Sequence, residues 1–268
     1  MNLESFADKD ARIMGKKGHF YYNYNPQIRV DSNNQIIVGQ HVSQNANDKQ
    51  EVKAGLESIK ENTGKRPDKM TLDNGYQSGK NLDALEQSQI ESYVPTNRND
   101  KKPNESLEES NRSLVKADFI YNEEHDYFRC PGEQCLELKT KDKNGKCVYQ
   151  GEANICVGCQ YHARCCQSKK GAARTINTDS HEGLRQKMRE RMEREDSKEI
   201  YKQRKVIVEQ VFGQIKNGGF RGFSVRGFSK VTGEFSLVCA AHNMKKMVKA
   251  IMTGAVRPMF GQIAPQKA

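Results

Sequence analysis

None of the 268 residues lies in an apolar run approaching the roughly 18 that a membrane-spanning helix needs. That excludes a transmembrane role for any stretch of the sequence. No secretory leader is visible either, because residues 1–18 are charged throughout. A reducing, cytoplasmic compartment is therefore expected. No glycine-rich phosphate loop, no Ser-His-Asp arrangement and no internal repeat stands out. Acidic residues almost vanish toward the end. Residues 210–268 hold nine Lys or Arg (Lys216, Arg221, Arg226, Lys230, Lys245, Lys246, Lys249, Arg257, Lys267) against Glu234 alone. The net charge of +10 therefore sits mostly in that stretch, on an otherwise nearly balanced chain. A basic end on a balanced body points to a polyanion, with nucleic acid first. Cysteine is nearly absent outside one segment: seven of eight lie within residues 130–166.

What is present argues for a folded chain. Mean hydropathy is −0.89 and only 35% of residues are hydrophobic, yet these cluster in periodic runs. The length suits one large domain, or one domain carrying an insertion. Residues 20–30 and 35–42 are aromatic and β-branched around the polar turn 31–34, which predicts a β-hairpin with Pro26 at an edge or bulge. Asn47 or Asp48 can cap a helix with Val52, Leu56 and Ile59 on one face and Gly64 as its stop. A short strand at 69–72 runs into Asp73-Asn74-Gly75-Tyr76. Ser78 then caps a helix with Leu82 and Leu85 inward, and a strand follows at 93–95. This alternation predicts an α/β sheet covered by helices. Residues 100–109 read as a linker, 179–216 as a long charged helical region, and 234–251 as a mostly buried helix. The tail after Gly254 reads as loose.

Without a secretion signal, clustered cysteines read as metal ligands before disulfides. Cys156-x2-Cys159 lets two thiolates meet one tetrahedral Zn²⁺, and Cys130 with Cys165 completes the predicted set. Cys135, Cys147 and Cys166 are alternatives, and His125 or His162 could replace a cysteine. The bland alternative is a loop of free thiols. No hydrophobic core is visible in this segment, which favours a metal to fix it. His242, on an apolar helix, reads as a packed or hydrogen-bonded residue.

Three other constellations carry chemistry. Asp73 ends a strand before a glycine turn, where α/β sheets collect ligands, although Asp-Asn-Gly is also a common turn. Glu209 sits among Val206, Ile207, Val208, Val211 and Phe212, where a buried carboxylate must be paired, hydrogen-bonded or metal-bound. Pairing with Lys205 or Lys216 in a structural helix is the alternative. In residues 220–230, Arg221, Arg226 and Lys230 alternate with phenylalanine and glycine, which suits phosphate contact with stacking, or a solvated loop with its phenylalanines packed inward.

Together these motifs resemble a family. Asp73-Asn-Gly-Tyr76, Tyr93-Val-Pro-Thr-Asn97, Val208-Glu-Gln-Val-Phe-Gly-Gln-Ile-Lys216, Gly219-Phe-Arg-Gly-Phe223, Arg226-Gly-Phe-Ser-Lys-Val231 and Ala241-His-Asn-Met-Lys-Lys246 are similar to those of bacterial insertion-sequence DDE transposases, in their cysteine-bearing branch. The similarity runs from Asp10-Ala-Arg-Ile-Met14 to Lys246. Within Tyr201-x2-Arg204-x4-Glu209-x6-Lys216 the Arg-to-Glu gap is four residues, where a commonly cited version has three.

The resemblance implies a ribonuclease-H-like mixed sheet with flanking helices. It also implies two Mg²⁺ (or Mn²⁺) ions held by two Asp and one Glu, which suits phosphodiester chemistry because hard cations take oxygen ligands. Asp73 would be the second carboxylate and Glu209 the third; Tyr201, Arg204 and Lys216 would hold DNA phosphates. The first carboxylate normally lies in an Asp-Gly-Thr ahead of the hairpin, and none occurs here; Asp8, Asp10 and Asp31 are candidates by position only. The first catalytic strand is therefore expected to be missing, and the chain alone is expected not to cut DNA.

The implied division is 1–117 (first part of the catalytic domain), 118–170 (Cys-rich zinc insertion), 171–252 (helical part carrying Glu209) and 253–268 (flexible tail). Partners would be transposon ends and target DNA, with a homo-oligomer or a complementing transposase half. A non-catalytic, zinc-stabilised DNA-binding protein competing with a complete transposase is the alternative. An unrelated nucleic-acid-binding module with purely structural carboxylates is a third.

Overall fold

A computed structural model describes residues 5–16, 18–96, 107, 111–167 and 173–255. The architecture is mixed α/β, in two compact units. One comprises residues 1–47, 54–66 and 203–268, and the other residues 48–53 and 67–202. Each is described by itself.

The first unit is built on two hairpins. Strands β1 (Arg12–Lys16) and β2 (His19–Asn23) pair antiparallel, as do β3 (Asn25–Val30) and β4 (Ile37–Ser43). The aromatic run 20–30 is thus two strands rather than one. It breaks at Tyr24, whose ring turns into the core while the side chains of β2 stay exposed. Helix α1 (Val52–Thr63) buries Val52, Leu56 and Ile59 at helical spacing and stops at Gly64, whose φ of 76° few other residues adopt. Tyr24, Ile28, Ile37 and Val42 meet Val211 and Ile215 of α7 (Gln210–Asn217), and Val231, Phe235 and Cys239 of α8 (Phe228–Met252).

Helix α8 packs on β4. Its buried positions, Val231, Phe235, Cys239 and His242, form one stripe. The expectation of a mostly buried helix fails beyond that stripe: Met244, Met247 and Ile251 are exposed. Asp8 and Asp10 serve this helix. The Phe228 amide donates to Asp10 Oδ2 at 2.9 Å and the Gly227 amide to Asp8 Oδ2 at 3.2 Å. Carboxylates are favoured there by the helix dipole. Burial opposes ionisation of Asp8, but the Gly227 amide and the Tyr24 hydroxyl hold its carboxyl below the usual range. Asp31 accepts from the Asn34 amide within its turn, at 2.7 Å.

In the second unit, β5 (Lys69–Thr71) and β6 (Glu91–Tyr93) are parallel, joined through α2 (Gly79–Gln87). Ser78 caps α2 by accepting from the Asn81 amide at 3.2 Å, and Leu82 and Leu85 point inward. Five antiparallel strands follow, in the order β11-β10-β9-β8-β7: β7 (Ile120–Asn122), β8 (Tyr127–Arg129), β9 (Cys135–Lys141), β10 (Lys146–Gln150) and β11 (Thr175–Asp179). Contrary to expectation, the cysteine-rich segment has a hydrophobic core of its own. Leu114, Phe119, Phe128, Leu136, Tyr149 and Ile176 form it, and the Phe128 and Tyr149 rings pack edge-on at 4.9 Å. Two short helices, α3 (Ala153–Val157) and α4 (His162–Cys165), lie between β10 and β11.

The helical region 179–216 is segmented. Helix α5 (Glu182–Glu193) ends at Arg194, whose ψ of 142° is extended, and α6 (Glu195–Arg204) starts anew. Fully buried Glu182 accepts from Thr178 Oγ1 at 2.6 Å, Lys116 Nζ at 2.7 Å and Arg189 Nη2 at 3.2 Å. Three donors on different elements satisfy a charge that would be costly to bury alone. The predicted linker lies almost wholly outside the described residues, as does the tail from residue 256.

Candidate functional site

Asp73 lies just past β5, after Leu72, and is half-buried. Its Oδ1 accepts from the Gly75 amide at 2.8 Å, capping the 3₁₀ turn Asn74–Tyr76. Asn74 fixes the turn by donating to the Thr96 carbonyl at 2.8 Å, just past β6. Asp48, which sequence reasoning treated only as a helix cap, faces the same turn. A Cβ on Gly75 would come within 2.9 Å of Asp48 Oδ2 and 3.0 Å of Asp73 Oδ1. Two carboxylate oxygens thus flank the space that glycine leaves open. Only pairing in space reveals Asp48, since 25 positions separate it from Asp73.

Glu209 is exposed rather than buried. Its apolar neighbours in sequence divide: Val211 turns fully inward while Val206 stands 58% exposed. The reason is local geometry. Residues Lys205–Glu209 form a π-helical turn between α6 and α7. In an α-helix, positions five apart point roughly 140° away from each other. In a π turn the backbone bonds reach five residues, so position i+5 comes round above position i. A π turn at this place absorbs one extra residue between Arg204 and Glu209. Such a turn interrupts the α-helical ladder, and Gln35 answers it. Held at φ 58° in the β3–β4 turn, Gln35 donates from Nε2 to the Val206 carbonyl at 3.3 Å and to Gln210 Oε1 at 2.8 Å.

The other predicted DNA contacts fall as follows. Tyr201 and Arg204 are half-buried on α6, and Lys216 is exposed in the last turn of α7. Glu209 and Lys216 both lie in the first unit, Asp73 in the second. Arg221, Arg226 and Lys230 are exposed. Phe220 and Phe223 pack inward, with ring centroids 5.3 Å apart and each 6.2 Å from Phe235. The phenylalanines hold the loop down and the cations stay in solvent. His242 is buried and its Nε2 lies 3.0 Å from the Gln35 carbonyl, a packing role.

Cys130, Cys156, Cys159 and Cys165 line one cavity of about 30 Å³, together with Cys166 and Cys135. Cys147 does not; it sits in the sheet core. The Gln134 amide donates to Cys130 Sγ at 3.3 Å and the Tyr161 amide to Cys159 Sγ at 3.5 Å. Both sulfurs flank Gly132, at 3.6 and 3.3 Å from where a Cβ would stand. Burial, then the neighbouring Cys166, pushes the Cys165 thiol up to about 12. Among the described residues, no three His, Cys, Asp or Glu side chains form a group set to hold a metal ion.

Residues 129–248 match the family model described as transposase DDE domain. This part of the chain is similar to a DDE transposase domain. The matched stretch takes in Glu209, Lys216, the basic loop and the cysteines, whereas Asp73 precedes it. No curated protein and no solved structure matches the chain. Among the described residues no helix is long and apolar enough to cross a membrane.

The π turn gives a direct prediction. Gln35→Ala should cost about 1–2 kcal/mol in urea unfolding. With Val206 deleted the helix can run α throughout, and the same substitution should then cost about 1 kcal/mol less. Equal costs in both backgrounds would show that Gln35 does not support the turn.

Proposed function

We propose that the chain acts in DNA transposition as a DDE transposase polypeptide with a ribonuclease-H-like fold, and that it binds transposon-end and target DNA. The match to a transposase DDE domain over residues 129–248 carries this reading. The β3–β4 hairpin, α1 and the parallel β5-α2-β6 unit follow one another along the chain as expected, although the two strand pairs form separate sheets and the expected single mixed sheet is not seen among the described residues.

Asp73 and Glu209 are the carboxylates assigned to Mg²⁺ or Mn²⁺, and they offer the oxygen donors that these cations prefer. When bound, a pair of such ions makes a water or 3′-hydroxyl nucleophilic and stabilises the leaving oxygen. Arg204 and Lys216 flank Glu209 along one helical path, at exposed or half-buried positions suited to DNA phosphates. Arg221, Arg226 and Lys230 add phosphate contacts. Because no Asp-Gly-Thr occurs in the sequence, its own residues supply two of the three carboxylates, and we read the chain alone as binding DNA without cutting it. A second copy or a complementing transposase half would complete the assembly.

We further propose that Cys130, Cys156, Cys159 and Cys165 hold one structural Zn²⁺. Support comes from the four thiols lining one cavity and from amide bonds already made to two of the sulfurs, although no three of these side chains stand together as a metal-holding group in this structure. The sheet core described above removes the argument that a metal is needed for want of apolar packing.

Purified chain should shift a DNA duplex at low salt and release it as salt rises, without Mg²⁺-dependent cleavage. Failure to bind DNA would sink the transposition reading, and robust cleavage abolished by Asp73→Ala would overturn the claim of inactivity. Protein prepared under reducing conditions should carry about one zinc per chain, and a content well below that contradicts the zinc site.

A further inference from the structure

A second basic feature lies in the first unit, beside the start of the loop that carries Arg221 and Arg226. Helices α7 and α8 border an open cleft of about 610 Å³. Lys245, Lys246 and Lys249 stand along it, with the amide side chains of Gln214 and Asn217 opposite and Phe220 and Val238 among its apolar lining. Lys245 and Lys249 are four residues apart, on one face of α8.

Lys246 is held in place, and no carboxylate of the cleft neutralises the three lysines. Lys246 donates to Gln35 Oε1 at 2.6 Å, the same side chain that supports the π turn. Partial burial, then the nearby Lys249 charge, lowers its ammonium below the usual range. Lys245 Nζ stands over the turn after α7, 3.6 Å from where a Gly218 Cβ would be. No acidic residue lines the cleft. Glu234, the one acid after position 210, accepts from the Ser224 amide and hydroxyl instead. Like charges gathered beside apolar walls, where water screens them less, favour an anion.

We propose that this cleft binds the phosphate backbone of DNA, as a contact point separate from Arg221, Arg226 and Lys230. The proposal rests on the transposition reading and adds a site to it. Lys245 lies 15 residues beyond Lys230 on the same helix, roughly 22 Å along its axis. A duplex carries phosphates at about 3.4 Å steps per strand, so one DNA segment can reach both contacts. Side-chain amides are suited to phosphate oxygens as neutral donors, and the lysines as point charges. The rival occupant is an anionic membrane surface, because Met244, Val248 and Met252 expose apolar surface near the lysines.

The test uses the full chain and a labelled DNA duplex, with affinity measured by fluorescence anisotropy across a salt series. Lys245→Gln combined with Lys249→Gln leaves Lys246 and its Gln35 bond intact. This double variant should weaken binding about tenfold or more at low salt. It should also flatten the salt dependence by about 0.9 per lost phosphate contact. Lys230→Gln in the same assay should weaken binding additively with it. Circular dichroism and urea unfolding unchanged from wild type confirm that the variant is folded. If wild type binds DNA and the double variant binds equally well, the cleft is not a DNA site and the transposition reading stands. If wild type binds no DNA, both fail. Binding to phosphatidylserine vesicles that needs these lysines, with DNA binding unaffected, would overturn the proposal in favour of a membrane surface.

Discussion

One glutamine in a left-handed turn holds much of the first unit together. Gln35 closes the β3–β4 hairpin, and its backbone carbonyl lies against His242. Its side chain reaches the Val206 carbonyl, Gln210 and Lys246. Next to it, Asn243 pairs with both backbone groups of Ile37, at 2.8 and 2.9 Å. The Ala241-His242-Asn243 motif is thereby explained as docking polarity: α8 is bolted to the end of a strand by hydrogen bonds that apolar packing alone would not orient. The helix carrying Glu209 takes its position from the same hub.

The π turn shows how a chain can carry an extra residue without losing a functional face. An insertion in an α-helix rotates everything after it, which would turn either Arg204 away from Glu209 or Val211 and Ile215 out of the core. Widening one turn keeps both registers. The cost is a disturbed ladder, met by a side chain from another element.

Several elements were legible in the sequence because local chemistry decides them. Helix α1 followed from Val52, Leu56 and Ile59 and ended at Gly64 as read; Ser78 capped α2. The β1–β2 hairpin was not legible, since β2 stays exposed on both faces and leaves no alternating burial pattern to read. Nor was the five-stranded sheet, whose core comes from aromatic and apolar residues scattered from Leu114 to Ile176 among conspicuous cysteines. Glu209 was misjudged because the valines around it suggested burial, and a spacing rule for α-helices does not hold across a π turn. The one-residue excess between Arg204 and Glu209 was the visible trace of that turn. Asp48 beside Asp73 had no such trace, because only the folded loop brings them together.

The proposed function has Asp73 and Glu209 serve one set of divalent cations at DNA. The most direct test is Mn²⁺ titration of the DNA-bound chain in wild type, Asp73→Asn, Glu209→Gln and the double variant. Shared ions predict strong non-additivity, with the double variant little worse than either single one. Independent, additive losses, or no loss at all, would contradict it.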